Sequence, residues 1–162
     1  MSIEDTFTGA KIAYTQLYAY VNAVADEIGM DRALAILTRT NEKMGTEAGK
    51  QIKEQSGQET YDVKKTALKI MEVARGIGSI DEIVEESSEK VVTMTASGKC
   101  TNYEAARAAG LDDQTIEAIC GAGSLHFLNA LVKQLNPDLG YQLGKFRSGP
   151  EDCCLENIVL NQ

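Results

Sequence analysis

The sequence has few of the residues that mark several common classes of protein. Tryptophan is absent, and only two prolines, one histidine and four cysteines occur in 162 residues. Few prolines, with 43% apolar and 25% charged residues, are typical of a globular chain rather than a disordered or fibrous one. Four cysteines are too few for a disulfide scaffold, so we expect thiols, metal ligands or packing residues in a reducing compartment.

Several functional motifs are also missing. There is no Walker loop, no G-x-G-x-x-G and no G-x-S-x-G, which argues against nucleotide, dinucleotide and α/β-hydrolase functions. A single histidine argues against a di-iron bundle, and a net charge of −8 argues against a nucleic-acid partner. The N-terminus lacks a signal-peptide pattern and no apolar run approaches bilayer length, so we expect a cytoplasmic protein without a membrane partner.

The N-terminal half carries helical patterns. Over Ile3–Ile28 apolar residues recur in alternating steps of four and three, which is the heptad seam of a long helix. A second helix, Asp31 to about Ser56, follows after a short connection and is expected to be its antiparallel neighbour. Gly45 and Gly49 in this helix fit a place where another backbone approaches closely. The seam predicts core packing or a homodimer through these helices, and a third helix is predicted over Tyr61–Arg75.

The composition changes after residue 78. The runs Asp81–Ser87 and Lys90–Ala96 alternate β-branched with other residues and predict a first hairpin. Two helices follow, a short one in TNYEAARAA and a long one over Asp113–Leu135. The runs Leu139–Leu143 and Cys153–Leu160, separated by a Ser-Gly-Pro turn, predict a second hairpin.

This order of elements predicts an α+β fold. We expect a single domain over residues 1–162, in which residues 1–78 form a helical part and residues 79–162 a cysteine-bearing part. The sheet is expected to be antiparallel, with about four strands covered by helices on one face. The glycines near Gly121 are expected to bend the last helix rather than to divide it.

Cys100 is the strongest candidate for a functional residue. Thr101 and Glu104 after it have capping-box spacing, so its thiol is expected just outside a helix N-terminus, where backbone amides lower a cysteine pKa. Lys99 adds positive charge. The same amides could instead hold the carboxylate of a substrate, with Lys99 or Arg107 as ion-pair partner. The alternative is that Cys100 is a small packing residue at a strand end.

The other candidates depend on how the chain folds. His126 is the only side chain whose unperturbed pKa suits acid–base catalysis near neutrality, so a cysteine–histidine mechanism would use it or a carboxylate such as Glu104. A hydrogen-bonded residue at the edge of the core is the alternative for His126. Cys120 lies on the apolar stripe of its helix and is expected in the core. Cys153 and Cys154 must point to opposite faces of a strand, and the alternation favours Cys153 as the one facing the helices.

A zinc site is a less favoured alternative. Its ligands would be Cys100, Cys120, His126 and Cys153, which have suitable donor atoms. They lack the C-x-x-C knuckle that makes such a site convincing in sequence. We therefore expect no cofactor, and a small molecule as the partner of the site.

The C-terminal part combines Cys100 before a short helix (CTNYEAARAAGLD), Cys120 in the next helix, the segment NPDLGY and a glycine before the final cysteine pair. In these features it resembles the L-2-amino-thiazoline-4-carboxylic acid hydrolase family, although Thr101 stands where that family commonly has proline. The resemblance implies hydrolytic opening of a cyclic isothiourea that bears a carboxylate, with Cys100 as nucleophile. The residues expected beside the substrate are Lys99, Thr101, Asn102, Arg107 and Cys153.

The same pattern is similar to that of small-molecule-binding domains of the 4-vinyl-reductase type. Those domains combine cysteines with an α+β arrangement and act as ligand sensors or handling modules. This second resemblance implies a non-catalytic module that binds a small apolar or metal-containing ligand. Both functions, the hydrolase and the binding module, are open at the level of the sequence.

Overall fold

Two long helices open the chain. The structure is a computed structural model that describes residues 2–57, 60–76, 79 and 82–161, with the backbone alone at residues 3 and 82–87. Helix α1 spans Ile3–Ile28 and helix α2 spans Met30–Ser56. Gly29, with a φ of 89°, both ends α1 and precedes α2. Helix α2 therefore begins at Met30, one residue before the predicted cap at Asp31.

Much of the heptad seam of α1 packs against other parts of the same chain. Phe7 and Val21, two residues of the seam, are buried in the single chain. Leu17, which belongs to the same seam, is 42% exposed. The homodimer through the N-terminal helices stays a prediction, because packing within one chain already covers much of the seam.

The remaining helices lie on one side of the sheet. Helix α3 spans Val63–Gly76 and helix α4 spans Thr101–Ala108. Helix α5 (Asp113–Cys120), a π-helical turn (Gly121–Leu125) and helix α6 (His126–Leu135) form one continuous helical stretch. This stretch confirms the prediction of one long helix with an irregularity at Gly121, where the wider turn changes the direction of side chains.

The four strands form one antiparallel sheet in the order β1-β2-β4-β3. The strands are β1 (Glu82–Ser88), β2 (Val91–Ala96), β3 (Leu139–Lys145) and β4 (Cys154–Leu160). In each predicted hairpin the two strands pair with each other. Strand β2 also pairs with β4, and this pairing joins the two hairpins into one sheet. The α+β class is thereby confirmed, and β4, the last strand of the chain, is an inner strand of the sheet.

The main core lies between the sheet and helices α3 and α6. Its buried side chains come from α3, β2, α6, β3 and β4, and they include Ile70, Met94, Leu131, Leu139 and Ile158. A second cluster lies between α1, α4 and α5, around Tyr18, Tyr103 and Ile116. The space between these two clusters is where the candidate site lies.

Helix α2 crosses α6 at very short range. A Cβ atom at Gly45 would lie 2.1 Å from the carbonyl oxygen of Phe127, and one at Gly49 would lie 2.7 Å from that of Leu131. Only glycine fits at such distances, which confirms that this pair marks the close approach of another backbone.

The helical stretch Asp113–Leu135 is long and apolar enough, by length and composition, to span a membrane. The expectation of a cytoplasmic protein without a membrane partner stays a prediction. In the fold, α6 contacts α2 and β3, and a core helix meets the same criterion by its apolar face.

Candidate functional site

A cavity of about 480 Å³ lies between α1, α2, the helical stretch of α5 and α6, and the end of the sheet. Its wall is mainly apolar and aromatic, with residues such as Tyr14, Val21 and Phe127. Leu17 and Met44 also line it and are 42% and 57% exposed, so they mark where it meets solvent. This volume is within the range of ligand-binding cavities.

Three of the four cysteines line this cavity, and each comes from a different element. Cys100 is the N-cap of α4, and its Sγ accepts a hydrogen bond from the backbone N–H of Tyr103 at 3.5 Å. Cys120 is the last residue of α5, and Cys154 is the first residue of β4. Cys120 was expected only to pack in the core, whereas the structure places it on the cavity wall.

The prediction that Cys153 faces the helices is wrong. Strand β4 begins at Cys154, which is buried opposite Ala96 of β2, and Glu156 and Ile158 follow it on the inward face. Cys153 is outside the cavity lining, and its backbone N–H donates to the carboxylate of Asp152. The sequence pattern misled because an inward glutamate interrupts the apolar alternation of the buried face.

The thiol of Cys100 does not have the lowered pKa expected at a helix start. Burial raises the pKa of Cys100, while the N–H of Tyr103 and the positive charge of Arg147 oppose the shift only in part. Burial likewise raises the pKa values of Cys120 and Cys154. All three cavity thiols are therefore neutral at pH 7, since a dry apolar wall disfavours the thiolate more than the helix start favours it.

His126 and Glu104, the predicted acid–base residues, lie outside the lining of this cavity. Nδ1 of His126 is 3.0 Å from a carboxylate oxygen of Glu42, and the His126 side chain is 43% exposed. Glu104 accepts a hydrogen bond from Nζ of Lys11 at 2.8 Å on the outer side of α4. The structure therefore does not bring either residue together with Cys100, because the helix phase turns both of them outward.

The predicted substrate-binding residues divide into two groups. Lys99 and Asn102 line the cavity, and Oδ1 of Asn102 accepts a hydrogen bond from the Tyr18 hydroxyl at 3.2 Å. Thr101 is fully buried, and it is not among the residues of the cavity wall. Arg107 is on the outer surface, where its guanidinium donates to a backbone carbonyl in the α4–α5 connection. Of these predicted residues, Lys99 and Asn102 therefore line the cavity and Arg107 does not.

The zinc ligand set is not assembled either. Cys100 and Cys120 line the cavity, while His126 and Cys153 do not. Within residues 2–57, 60–76, 79 and 82–161, no group of three or more His, Cys, Asp or Glu side chains is arranged to hold a metal ion. Cys153 precedes β4, and the His126 side chain is 43% exposed at the start of α6, so these two residues lie away from the cavity cysteines.

Arg147 is a wall residue that the sequence analysis missed. It is only 2% exposed, and its Nη1 and Nη2 atoms donate to the carbonyl oxygens of Gly98 at 3.0 Å and Ala96 at 2.9 Å. Its Nε has no hydrogen-bond partner within the described part of the chain. The guanidinium also lies over the Tyr103 ring, 5.6 Å from its centroid. An arginine in a loop near the chain end gives no signal of such burial in the sequence.

Glu156 is the second missed residue and the one carboxylate among the described lining residues. It accepts a hydrogen bond from the Tyr141 hydroxyl. Burial raises the pKa of Glu156, while the hydrogen bond from Tyr141 and the charge of Arg147 oppose the shift. An inward glutamate on a central strand therefore holds a proton more readily than a surface one.

Comparison of the chain with protein-family models, with curated proteins and with solved structures gives no match. The resemblances noted in the C-terminal segment therefore stay predictions. The function of the chain has to follow from the cavity and the side chains around it.

Proposed function

We propose that this protein binds a small, mainly apolar molecule in the cavity between its helices and its sheet. The observation that carries the proposal is the cavity itself, about 480 Å³ of space inside a chain of 162 residues. Protein interiors are packed closely, and voids larger than a water molecule are few. A space of this size is therefore unlike a packing defect and resembles a binding site.

The wall has the composition of a binding site. Apolar and aromatic side chains from α1, α2, α3, α5 and α6 provide most of its surface, and they would gain dispersion contacts with an apolar ligand. Asn102, Arg147 and Glu156 are polar groups on the same wall. A few fixed polar groups in an apolar cavity orient a ligand and distinguish it from others.

Binding is tested with the neutral fluorescent probe N-phenyl-1-naphthylamine. Saturable binding to the wild-type protein is expected, and Ala74→Leu is expected to weaken it about tenfold or more, because the added carbons occupy cavity space at a wall residue. Ala19→Leu is the matched control, since Ala19 is exposed on α1. Circular dichroism and thermal unfolding establish that both variants fold.

Two outcomes would contradict this function. One is the absence of saturable binding to the wild-type protein. The other is equal loss of affinity in Ala74→Leu and Ala19→Leu, which would place the probe on the surface of the helices rather than in the cavity.

A second candidate function is cysteine-dependent hydrolysis of a small cyclic thiazoline or amidine carboxylate. One observation favours it: the cavity holds the Cys100 sulfur at the start of α4 together with Glu156, a carboxyl group whose pKa is raised by burial. In this mechanism the Cys100 thiol gives its proton to the ring nitrogen and its sulfur attacks the carbon between the ring nitrogen and sulfur. The ring carbon–sulfur bond then breaks, and Glu156 in its acid form protonates the departing sulfur. Water attacks the resulting S-amidino adduct, gives its proton back to Glu156, and releases the ring-opened product and the Cys100 thiol. The role first given to His126 and Glu104 passes to Glu156.

Hydrolysis is tested with 2-amino-thiazoline-4-carboxylate as substrate. Turnover that is lost in Cys100→Ser and kept in Cys153→Ser is the expected result, with binding of the neutral probe retained in both variants. No turnover by the wild-type protein would leave the binding function as the only one of the two.

A further inference from the structure

We propose that the ligand of this cavity is a carboxylate-type anion whose charged end is held by the guanidinium of Arg147. This inference rests on the proposed binding function and names the chemical class of the ligand. Its support comes from the hydrogen bonds and burial of Arg147, the hydrogen bond and raised pKa of Glu156, and the exposed position of Lys99.

Arg147 has no counter-ion among the residues that the structure describes. Its Nη1 and Nη2 atoms donate hydrogen bonds to the neutral backbone carbonyls of Gly98 and Ala96. These bonds orient the guanidinium and occupy two of its five N–H groups, but they do not neutralise its charge. A charge that is 98% removed from solvent and unpaired is unfavourable, and proteins normally pair it. Arg147 lines the cavity, so an anion bound there can reach its guanidinium.

Glu156 does not take the place of that anion. No ion pair within 4 Å joins it to Arg147, and its described hydrogen-bond partner is the Tyr141 hydroxyl. Burial favours the protonated, neutral form of Glu156. The cavity wall therefore carries a buried guanidinium without an ion-pair partner among the described residues. A positive charge of this kind suits an anion and would not suit a cation.

A carboxylate matches the guanidinium in shape as well as in charge. The planar N–H fork of arginine pairs with the two oxygens of a carboxylate, and such charge-assisted hydrogen bonds are stronger than neutral ones. Lys99 is the other cation of the wall, but it is exposed and lies over the Phe7 ring at 5.7 Å. Its charge is screened by water, so it contributes less than a buried guanidinium.

The test compares octanoate with 1-octanol, which have the same apolar chain and differ in charge. Isothermal titration calorimetry at pH 7.5 is expected to show octanoate binding at least about tenfold more tightly to the wild-type protein. Arg147→Met is expected to abolish this preference, and Arg147→Lys to restore part of it. Arg75→Met is the matched control, because Arg75 is exposed on α3 and outside the cavity lining.

Three results would overturn the proposal. The first is equal affinity of the wild-type protein for octanoate and 1-octanol. If Arg147→Met does not fold, this comparison is sufficient to test the proposal. A preference that survives in Arg147→Met is the second. A preference lost in Lys99→Met and kept in Arg147→Met is the third, because the anion would then be held at Lys99. In each case the proposed binding function still holds if the neutral probe N-phenyl-1-naphthylamine binds to the wild-type protein. If that probe does not bind, the binding function itself is contradicted.

Discussion

The hydroxyl of Tyr141 on β3 donates a hydrogen bond to the carboxyl group of Glu156 on the neighbouring strand β4. Both groups belong to the inward side of the sheet, where Glu156 lines the cavity. The pair places a titratable group inside the fold at a position where its charged form is disfavoured. The free energy of unfolding should therefore depend on pH in part through Glu156.

Glu156→Gln should become more stable relative to the wild-type protein as the pH rises. The folded-state pKa of Glu156 is raised above its ordinary value of about 4.5, so its contribution to stability is complete below that pH and is lost as the pH rises toward the folded pKa. Each unit of elevation is worth about 1.4 kcal/mol. Urea unfolding of both proteins between pH 4 and 8 measures the difference.

Asp152 provides the opposite control for that pH series. Hydrogen bonds from Lys145, Ser148 and Cys153 hold the pKa of Asp152 below its ordinary value. Its contribution is present at neutral pH and is lost as the pH falls, so Asp152→Asn should approach the wild-type stability in acid. A Glu156→Gln difference that does not change between pH 4 and 8 would show that Glu156 ionises normally.

Gly45→Ala should destabilise the protein by about 2–4 kcal/mol. The new methyl group would lie 2.1 Å from the Phe127 carbonyl oxygen, and backbone cannot move aside as a side chain can. Gly9→Ala is the matched control, because Gly9 lies in α1 with nothing within 4 Å of an added Cβ. That control should gain about 0.5–1 kcal/mol in helix propensity. Urea unfolding measures both, and equal effects would mean that α2 and α6 are farther apart.

Cys100 should react slowly with iodoacetamide at pH 6 to 7. Burial raises the pKa values of Cys100, Cys120 and Cys154, so few of these thiols are ionised at neutral pH. Peptide mass spectrometry after timed alkylation gives the rate at each cysteine, and the protein unfolded in urea gives the reference rates. Rapid labelling of Cys100 at pH 6 would establish a lowered pKa and would favour the hydrolase over the binding module.

Cys154→Ser should cost about 1 kcal/mol or more in unfolding free energy, and Cys153→Ser should cost little. Cys154 is buried on the inward face of β4, where a hydroxyl needs a hydrogen-bond partner that a thiol does not. Cys153 precedes the strand and is only half-buried. Similar losses in the two variants, measured by thermal unfolding, would contradict the assignment of Cys154 to the inward face.

The elements that the sequence predicted are those that local interactions determine. Helical periodicity identified α1 to α3 and the long stretch over Asp113–Leu135, and alternation identified both hairpins. The glycine pair of α2 indicated a close contact before its partner was known. These features need only the neighbours along the chain, since side-chain spacing alone decides which face of a helix or strand is apolar.

The site depended on distances that no local pattern contains. The sequence identified Cys100, Lys99 and Asn102, which lie near the start of α4 and line the cavity, but it expected Cys120 in the core and Cys153 rather than Cys154 facing the helices. It missed Arg147 and Glu156, because a charged residue in a loop or on a strand normally faces water. Only packing by the other elements shows that these two are inside.

Sequence alone thus determined the order of elements and the α+β class. Tertiary structure decided that Cys154 rather than Cys153 faces inward and that His126 points away from the cavity. It also decided that the pKa of the Cys100 thiol is raised above its ordinary value. The physical reason is that periodicity is a property of neighbouring residues, whereas burial and electrostatic environment are sums over side chains from the whole fold.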